Sequence, residues 1–249
     1  MTNLQDDLLA YSKEIQGELS LFKNNNLSKQ AKNFLKTNNN AFLFGLVSEQ
    51  SVKMETAWSL PYELSKRLGH FDLKKMSEFM QEHLEKVIKE KPSLHRYPKR
   101  ISQYLFKTVK LLIEKYESDA TNIWRNKEAD EILKNLKEFS GIGEKKSALG
   151  VMLLIRDFGI KIKNKKSINI AYDIHIRRVF LRTGLAKKDN INLVINSAKH
   201  INPNFPGELT APIWNIGRKW CRPSTPTCNE CPLFANCPKY INLGKDIKA

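Results

Sequence analysis

All four cysteines of the chain lie within its last 30 residues, in the order Cys221-x6-Cys228-x2-Cys231-x5-Cys237. With no earlier cysteine to close a long-range disulfide, this clustering argues for a reduced compartment and a bound metal centre, not a stapled secreted fold. Four soft thiolates can hold structural zinc or an iron–sulfur cluster, and the three intervals do not choose between them. Either centre would organise a short C-terminal segment of limited apolar content.

Charge is the second constraint. Lysine and arginine number 42 against 26 acidic residues, a formal charge of +16 over 249 residues. A chain this basic repels itself unless a polyanion is a regular partner, and nucleic acid is the commonest one. Hydrophobic residues at 41% argue against disorder and allow one domain or two modest ones. No apolar run is long enough to cross a bilayer. Met1 to Lys13 carries Asp6 and Asp7 and lacks the basic-then-apolar order of a secretory signal.

The periodicity is helical nearly throughout. Leu4, Leu8, Leu9, Ile15 and Leu19 predict an amphipathic helix within 3–22, and further helices are expected near 41–50, 51–58, 72–90, 101–116 and 127–139. Asn24-Asn25-Asn26 and Asn38-Asn39-Asn40 punctuate the chain, and Pro92 and Pro98 bracket a connection. Gly141-Ile142-Gly143 fits a tight turn into a helix over 145–155, whose exposed amides can receive a phosphate. Asp173 has the place of a helix cap after the extended stretch 168–172. On residue type alone, Lys145 reads as a phosphate-binding lysine and Asp173 as a cap.

Three segments carry a family resemblance. Ile213-Trp-Asn-Ile-Gly-Arg-Lys-Trp-Cys221 with the cysteine spacing, Leu136-Lys-Glu-Phe-Ser-Gly-Ile-Gly-Glu-Lys-Lys-Ser-Ala148, and Ile170-Ala-Tyr-Asp-Ile-His-Ile-Arg-Arg-Val179 together resemble endonuclease III and its relatives in the helix-hairpin-helix DNA glycosylase superfamily. The resemblance spans about residues 41–240. It implies a mainly α, two-lobed helix-hairpin-helix glycosylase fold with a [4Fe–4S] cluster loop at 221–237. Residues 1–40 would be an N-terminal extension and part of the cluster-bearing lobe, 41–155 the central helical domain, and 156–249 the rest of the cluster-bearing lobe. The cluster would be ligated by Cys221, Cys228, Cys231 and Cys237.

The same resemblance makes Lys145 the catalytic lysine and Asp173 the catalytic acid. Gly141, Gly143, Lys146, Arg178 and Arg218 would serve the hairpin and the DNA backbone. Gln50, in Leu46-Val-Ser-Glu-Gln50-Ser51, matches the gap-filling glutamine, and Leu94, His95 and Tyr97 occupy a second wedge interval. The implied activity is excision of a damaged or mismatched base from duplex DNA, first a pyrimidine lesion, followed by strand cleavage at the abasic site. Alternatives are a monofunctional glycosylase in which Asp173 directs water, and a noncatalytic metal-stabilised DNA-binding protein. The expected partner is lesion-bearing double-stranded DNA, with a monomeric protein, no obligate protein partner, and a location in a prokaryotic cytoplasm or nucleoid. The adenine-excising branch is disfavoured, because Gly45 stands where its early glutamate belongs and little sequence follows Cys237.

The Lys145–Asp173 separation is longer than usual for the family, and Lys161, Lys163, Lys165 and Lys166 fill the apparent insertion. Residues 86–110 hold eight lysines or arginines against the single acid Glu90, a candidate backbone track.

Overall fold

The computed structural model describes residues 3–242, so the reading of Met1 and Thr2 and the last seven residues of the expected C-terminal domain lie outside it. Regular structure among the described residues is α-helix with short 3-10 turns, and no β-strand forms. The chain divides into two compact units: residues up to Ser20 with those from Val151 onward, and Leu21–Gly150.

Helix α1 (Leu4–Ile15) belongs to the first unit. Asn3 caps it, its side chain accepting from Gln5 N and Asp6 N while Asp6 Oδ2 accepts from Asn3 N, a reciprocal capping box. Leu8, Tyr11 and Ile15, spaced for one face, are buried.

The second unit contains α2 (Lys29–Thr37), α3 (Asn39–Ser48), α4 (Met54–Leu68), α5 (Leu73–Ser77), α6 (Gln81–Lys89), α7 (Pro98–Tyr116), α8 (Ala129–Leu136) and the start of α9 (Glu144–Arg156). The expected boundary near residue 40 falls instead after residue 20. The reason is α2, which buries Ala31 and Leu35 and sets the Phe34 ring 5.9 Å from Tyr62 and 5.1 Å from Phe71. The single helix expected over 72–90 is two: Ser77 Oγ donates back to Lys74 O at 2.6 Å, a competing bond that ends α5. Pro98 opens α7, where its missing N–H costs nothing.

Helix α3 is the centre of this unit, buried from Ala41 to Ser48 on every side. Asn38 caps it, and Phe42 packs against Trp58 and Trp124 at 5.6 and 5.5 Å between centroids. Gly45 lets α4 approach closely: a Cβ there would lie 2.5 Å from Trp58 Cε3. A larger side chain at position 45 therefore has no room. Gly45→Ala is expected to lower unfolding free energy by about 1–3 kcal/mol, measured by chemical denaturation, because it overpacks a filled core.

In the first unit, α1 is joined by α10 (Ile174–Arg182), α11 (Ile191–Ile201) and α12 (Thr210–Lys219) around Leu8, Ile176, Phe180, Val194, Ile213 and Leu233. Two arginines lie inside this core. Arg178 is fully buried, with Nε donating to Cys221 O and Nη2 to Gly217 O, both at 2.7 Å. Arg182, one turn on, donates to Arg222 O at 2.6 Å and Pro223 O at 2.7 Å. Together they fasten the segment after α12 to α10, satisfying carbonyls that no helix reaches. Arg178→Met is expected to cost about 3 kcal/mol of stability, because it strands two buried carbonyls. Thermal and urea unfolding of the variant test this.

Candidate active site

The hairpin joins α8 to α9. Phe139 and Ile142 are buried beneath it, and Ile142 N donates to Phe139 O at 3.0 Å to close the turn. Gly141 has φ +86°, and a Cβ on it would strike the Tyr104 ring at 2.6 Å, so both conformation and space demand glycine. Gly143 meets nothing within 4 Å and is exposed. Lys145 is exposed in the first turn of α9, at the positive end of that helix's dipole. Its neighbour Lys146 points inward and donates from Nζ to Val47 O at 2.9 Å. Burial pulls the Lys146 ammonium down to about 8, with Glu49 opposing and Lys145 adding to the fall.

Asp173 caps α10, as its place in the sequence suggests. Its Oδ1 accepts from His175 N and Ile176 N, both at 2.9 Å. The extended chain leading to it is fixed by Gly207 N donating to Ile168 O at 2.8 Å and Ala171 N donating to Thr210 Oγ1 at 3.0 Å. Behind it, Gly217 allows α12 to approach His175 so closely that a Cβ would lie 2.8 Å from His175 Cβ. Burial pulls the His175 imidazole down, with Asp173 raising it and Arg178 lowering it, and Arg178 Nη2 lies 3.0 Å from its Nδ1. His175 and Arg178 thus brace the Asp173 helix. Lys145 belongs to the unit of residues 21–150 and Asp173 to the other.

Of the wedge candidates, Gln50 is half-buried just beyond α3, where its N–H donates to Ser48 O at 2.7 Å. Leu94 and His95 are buried, and only Tyr97, 38% exposed, presents its ring to solvent. Tyr97 N donates to His95 Nδ1 at 3.0 Å, so Nε2 carries the imidazole proton and donates to Ser48 O at 3.1 Å. Burial holds this histidine below its ordinary range, in keeping with a neutral ring.

The basic residues are where a polyanion can meet them. All eight lysines and arginines of 86–110 are exposed, as is Arg218, whose guanidinium lies 4.7 Å from the Trp214 ring. The lysine-rich insertion is anchored by buried Ile162 and by Lys165 over the Phe205 ring at 5.4 Å, leaving Lys161, Lys163 and Lys166 exposed.

The cysteine segment departs from expectation. The four thiols are free and line one cavity of about 30 Å³ with Val179, Ile216 and Trp220. Burial pushes the Cys221, Cys231 and Cys237 thiols up, Cys231 to about 11. Among the described residues no group of three or more Cys, His, Asp or Glu side chains is arranged to hold a metal ion. This overturns both the cluster loop in the expected fold and the expected [4Fe–4S] cofactor. A cluster needs thiolates converging on one centre, and the sulfurs are not arranged in that way here. The mainly α, two-part organisation is unaffected.

Sequence reasoning missed the buried partners. Glu49 accepts from Trp58 Nε1 at 2.7 Å, and burial pushes its carboxyl up, the Trp58 bond and the charges of Lys146 and Lys145 pulling it back. Its contact to a tryptophan nine residues on leaves no periodic signature. Arg182 did have one, four residues after Arg178 on a face shared with apolar side chains.

No family model matches the chain. Endonuclease III of Rickettsia conorii is 29% identical over 171 residues, covering 68% of this chain and 70% of that protein. A solved structure of a trapped endonuclease III–DNA covalent intermediate superposes with a TM-score of 0.62 at 20% identity, over 96% of this chain and 97% of the other. A thermostable thymine-DNA glycosylase gives a TM-score of 0.63 at 13% identity, over 95% and 97%. Among the described residues, no helix is long and apolar enough to cross a membrane. The chain thus shares its fold over nearly its full length with endonuclease III and the thymine-DNA glycosylase, and is similar in sequence to endonuclease III along about two thirds of its length.

Proposed function

We propose that the chain is a base-excision repair DNA glycosylase with abasic-site lyase activity, acting on a damaged or mismatched base, first a pyrimidine lesion, in duplex DNA. The observation that carries this reading is Lys145, exposed in the first turn of α9 behind a hairpin that Gly141 alone can form. An amine so placed stands beside helix N-terminal amides suited to a DNA phosphate. The endonuclease III structure of similar fold is of a covalent intermediate trapped on DNA, which supports the same chemistry.

The chemistry runs through one lysine. With the nucleotide rotated out of the duplex, neutral Lys145 Nζ attacks sugar C1′ and forms a C–N bond. The bond from C1′ to the base breaks, its electron pair leaving with the base, which takes up a proton. The nitrogen then loses one proton, and the C1′–O4′ bond breaks, O4′ taking up a proton, to leave a protonated Schiff base. Removal of a C2′ proton then expels the 3′ phosphate and cuts the strand. The Asp173 carboxylate stabilises the positive charge developing at the sugar or moves the protons. The exposed lysines and arginines of 86–110 and Arg218 hold the backbone.

A panel of duplex oligonucleotides carrying oxidised pyrimidines, uracil, mismatched thymine and oxidised guanine, with borohydride added, tests the reading. Base release with a covalent protein–DNA product on at least one lesion is expected. Base release with no covalent product would instead favour water directed by Asp173. DNA association without excision of any base would leave only a binding role.

A further inference from the structure

Around the C-terminal end of α3 lies a buried polar cluster that the reaction above does not use. The last turn of any helix leaves carbonyls without intrahelical donors, at the negative end of the helix dipole. Here two of them are met by side chains from remote parts of the same unit. Val47 O takes Lys146 Nζ at 2.9 Å, 99 residues away in sequence. Ser48 O takes His95 Nε2 at 3.1 Å, as well as the N–H of Gln50 at 2.7 Å. Glu49, between them, is fixed by Trp58 Nε1. Ser48 Oγ is buried with no hydrogen-bond partner.

A half-buried lysine is an expensive way to cap a helix. Removing an ammonium from water costs more than a neutral donor would, and the cost shows in the fall of Lys146 to about 8. The charged groups that act on Lys146 are Glu49, which favours its ammonium, and Lys145, which opposes it; His95 also feels the Lys146 charge. The bond joins two things the proposed reaction must keep in register: the first turn of α9, which carries Lys145, and the Ser48–Gln50 turn, which carries the candidate gap-filling side chain.

We propose that Lys146 is a positioning residue for the Lys145 reaction, latching the first turn of α9 to the end of α3 and so fixing Lys145 relative to the Gln50 turn. This rests on the glycosylase–lyase reading. A small displacement of a nucleophile is costly, on the order of 10²-fold for about 1 Å.

The test uses the full chain and a duplex containing an abasic site, with Lys146→Met and Lys146→Arg compared with the parent protein. Three quantities are measured: the single-turnover rate of borohydride trapping, the Kd for the same duplex, and amide hydrogen exchange at Gln50, Tyr97 and Ser147. Lys146→Met is expected to slow trapping on the order of 10²-fold, leave Kd unchanged and speed exchange at Gln50 and Ser147. Lys146→Arg is expected to restore most of the rate, since a guanidinium can donate to the same carbonyl. If Lys146→Met does not fold, Lys146→Gln, too short to span to Val47 O, takes its place. Trapping at the parental rate, or a loss matched by an equal weakening of Kd, would overturn the proposal. If the parent protein itself traps no abasic DNA, the lyase reading fails and the positioning role falls with it. The exchange data then report on the latch alone, and unchanged protection would remove that too.

Discussion

Lys145→Gln is expected to abolish the borohydride-trapped product and to slow strand cleavage at an abasic site by on the order of 10⁴-fold. Glutamine keeps much of the side-chain length and helix propensity but has no amine to add to C1′. Lys145 is exposed, so the substitution leaves the fold and its melting temperature in place. DNA affinity is expected to fall little, with the salt slope reduced by about one at most, because a single phosphate contact is the most that is lost. Lys146 is no ready substitute, since its Nζ is spent on Val47 O on the buried side of the helix. Gel detection of the adduct and of the nicked strand checks both numbers, and residual trapping near the parental level would assign the chemistry elsewhere.

Asp173→Asn separates the two roles that one residue can hold. Asparagine caps a helix about as well as aspartate, so the bonds to His175 N and Ile176 N are kept and stability changes little. The negative charge is lost, and base release is expected to fall by about 10²–10⁴-fold, the usual range for a positioned acid or base. Asp173→Ala should show the same kinetic loss and an added penalty of about 1 kcal/mol from the missing cap. An Asp173→Asn protein that excises bases at the parental rate would leave Asp173 a cap only.

Local chemistry was the legible part of this chain. Asp173 caps a helix where its sequence position places it, and Gly141 takes the positive φ its hairpin requires. Each depends on neighbours within a few residues. What could not be read depends on partners far along the chain. Nothing near Lys146 points to Val47, and nothing in Leu94-His-Arg-Tyr97 shows that the histidine turns inward to Ser48 while the tyrosine faces out. Arg178 and Arg182 look like surface cations in a basic protein, yet they are buried because uncapped carbonyls of residues 217–223 need donors. The cysteines show the limit of spacing: it brought four thiols to one cavity but did not specify how their sulfurs are directed within it.

The central claim is that Lys145 forms a covalent bond to the sugar of a damaged nucleotide. Its most direct test is borohydride trapping of the parent protein on abasic-site and lesion-bearing duplexes, followed by proteolysis and mass spectrometry of the modified peptide. The predicted result is one deoxyribose-derived adduct, located on Lys145. An adduct on Lys146 or another lysine, or none on any substrate despite base release, would contradict it.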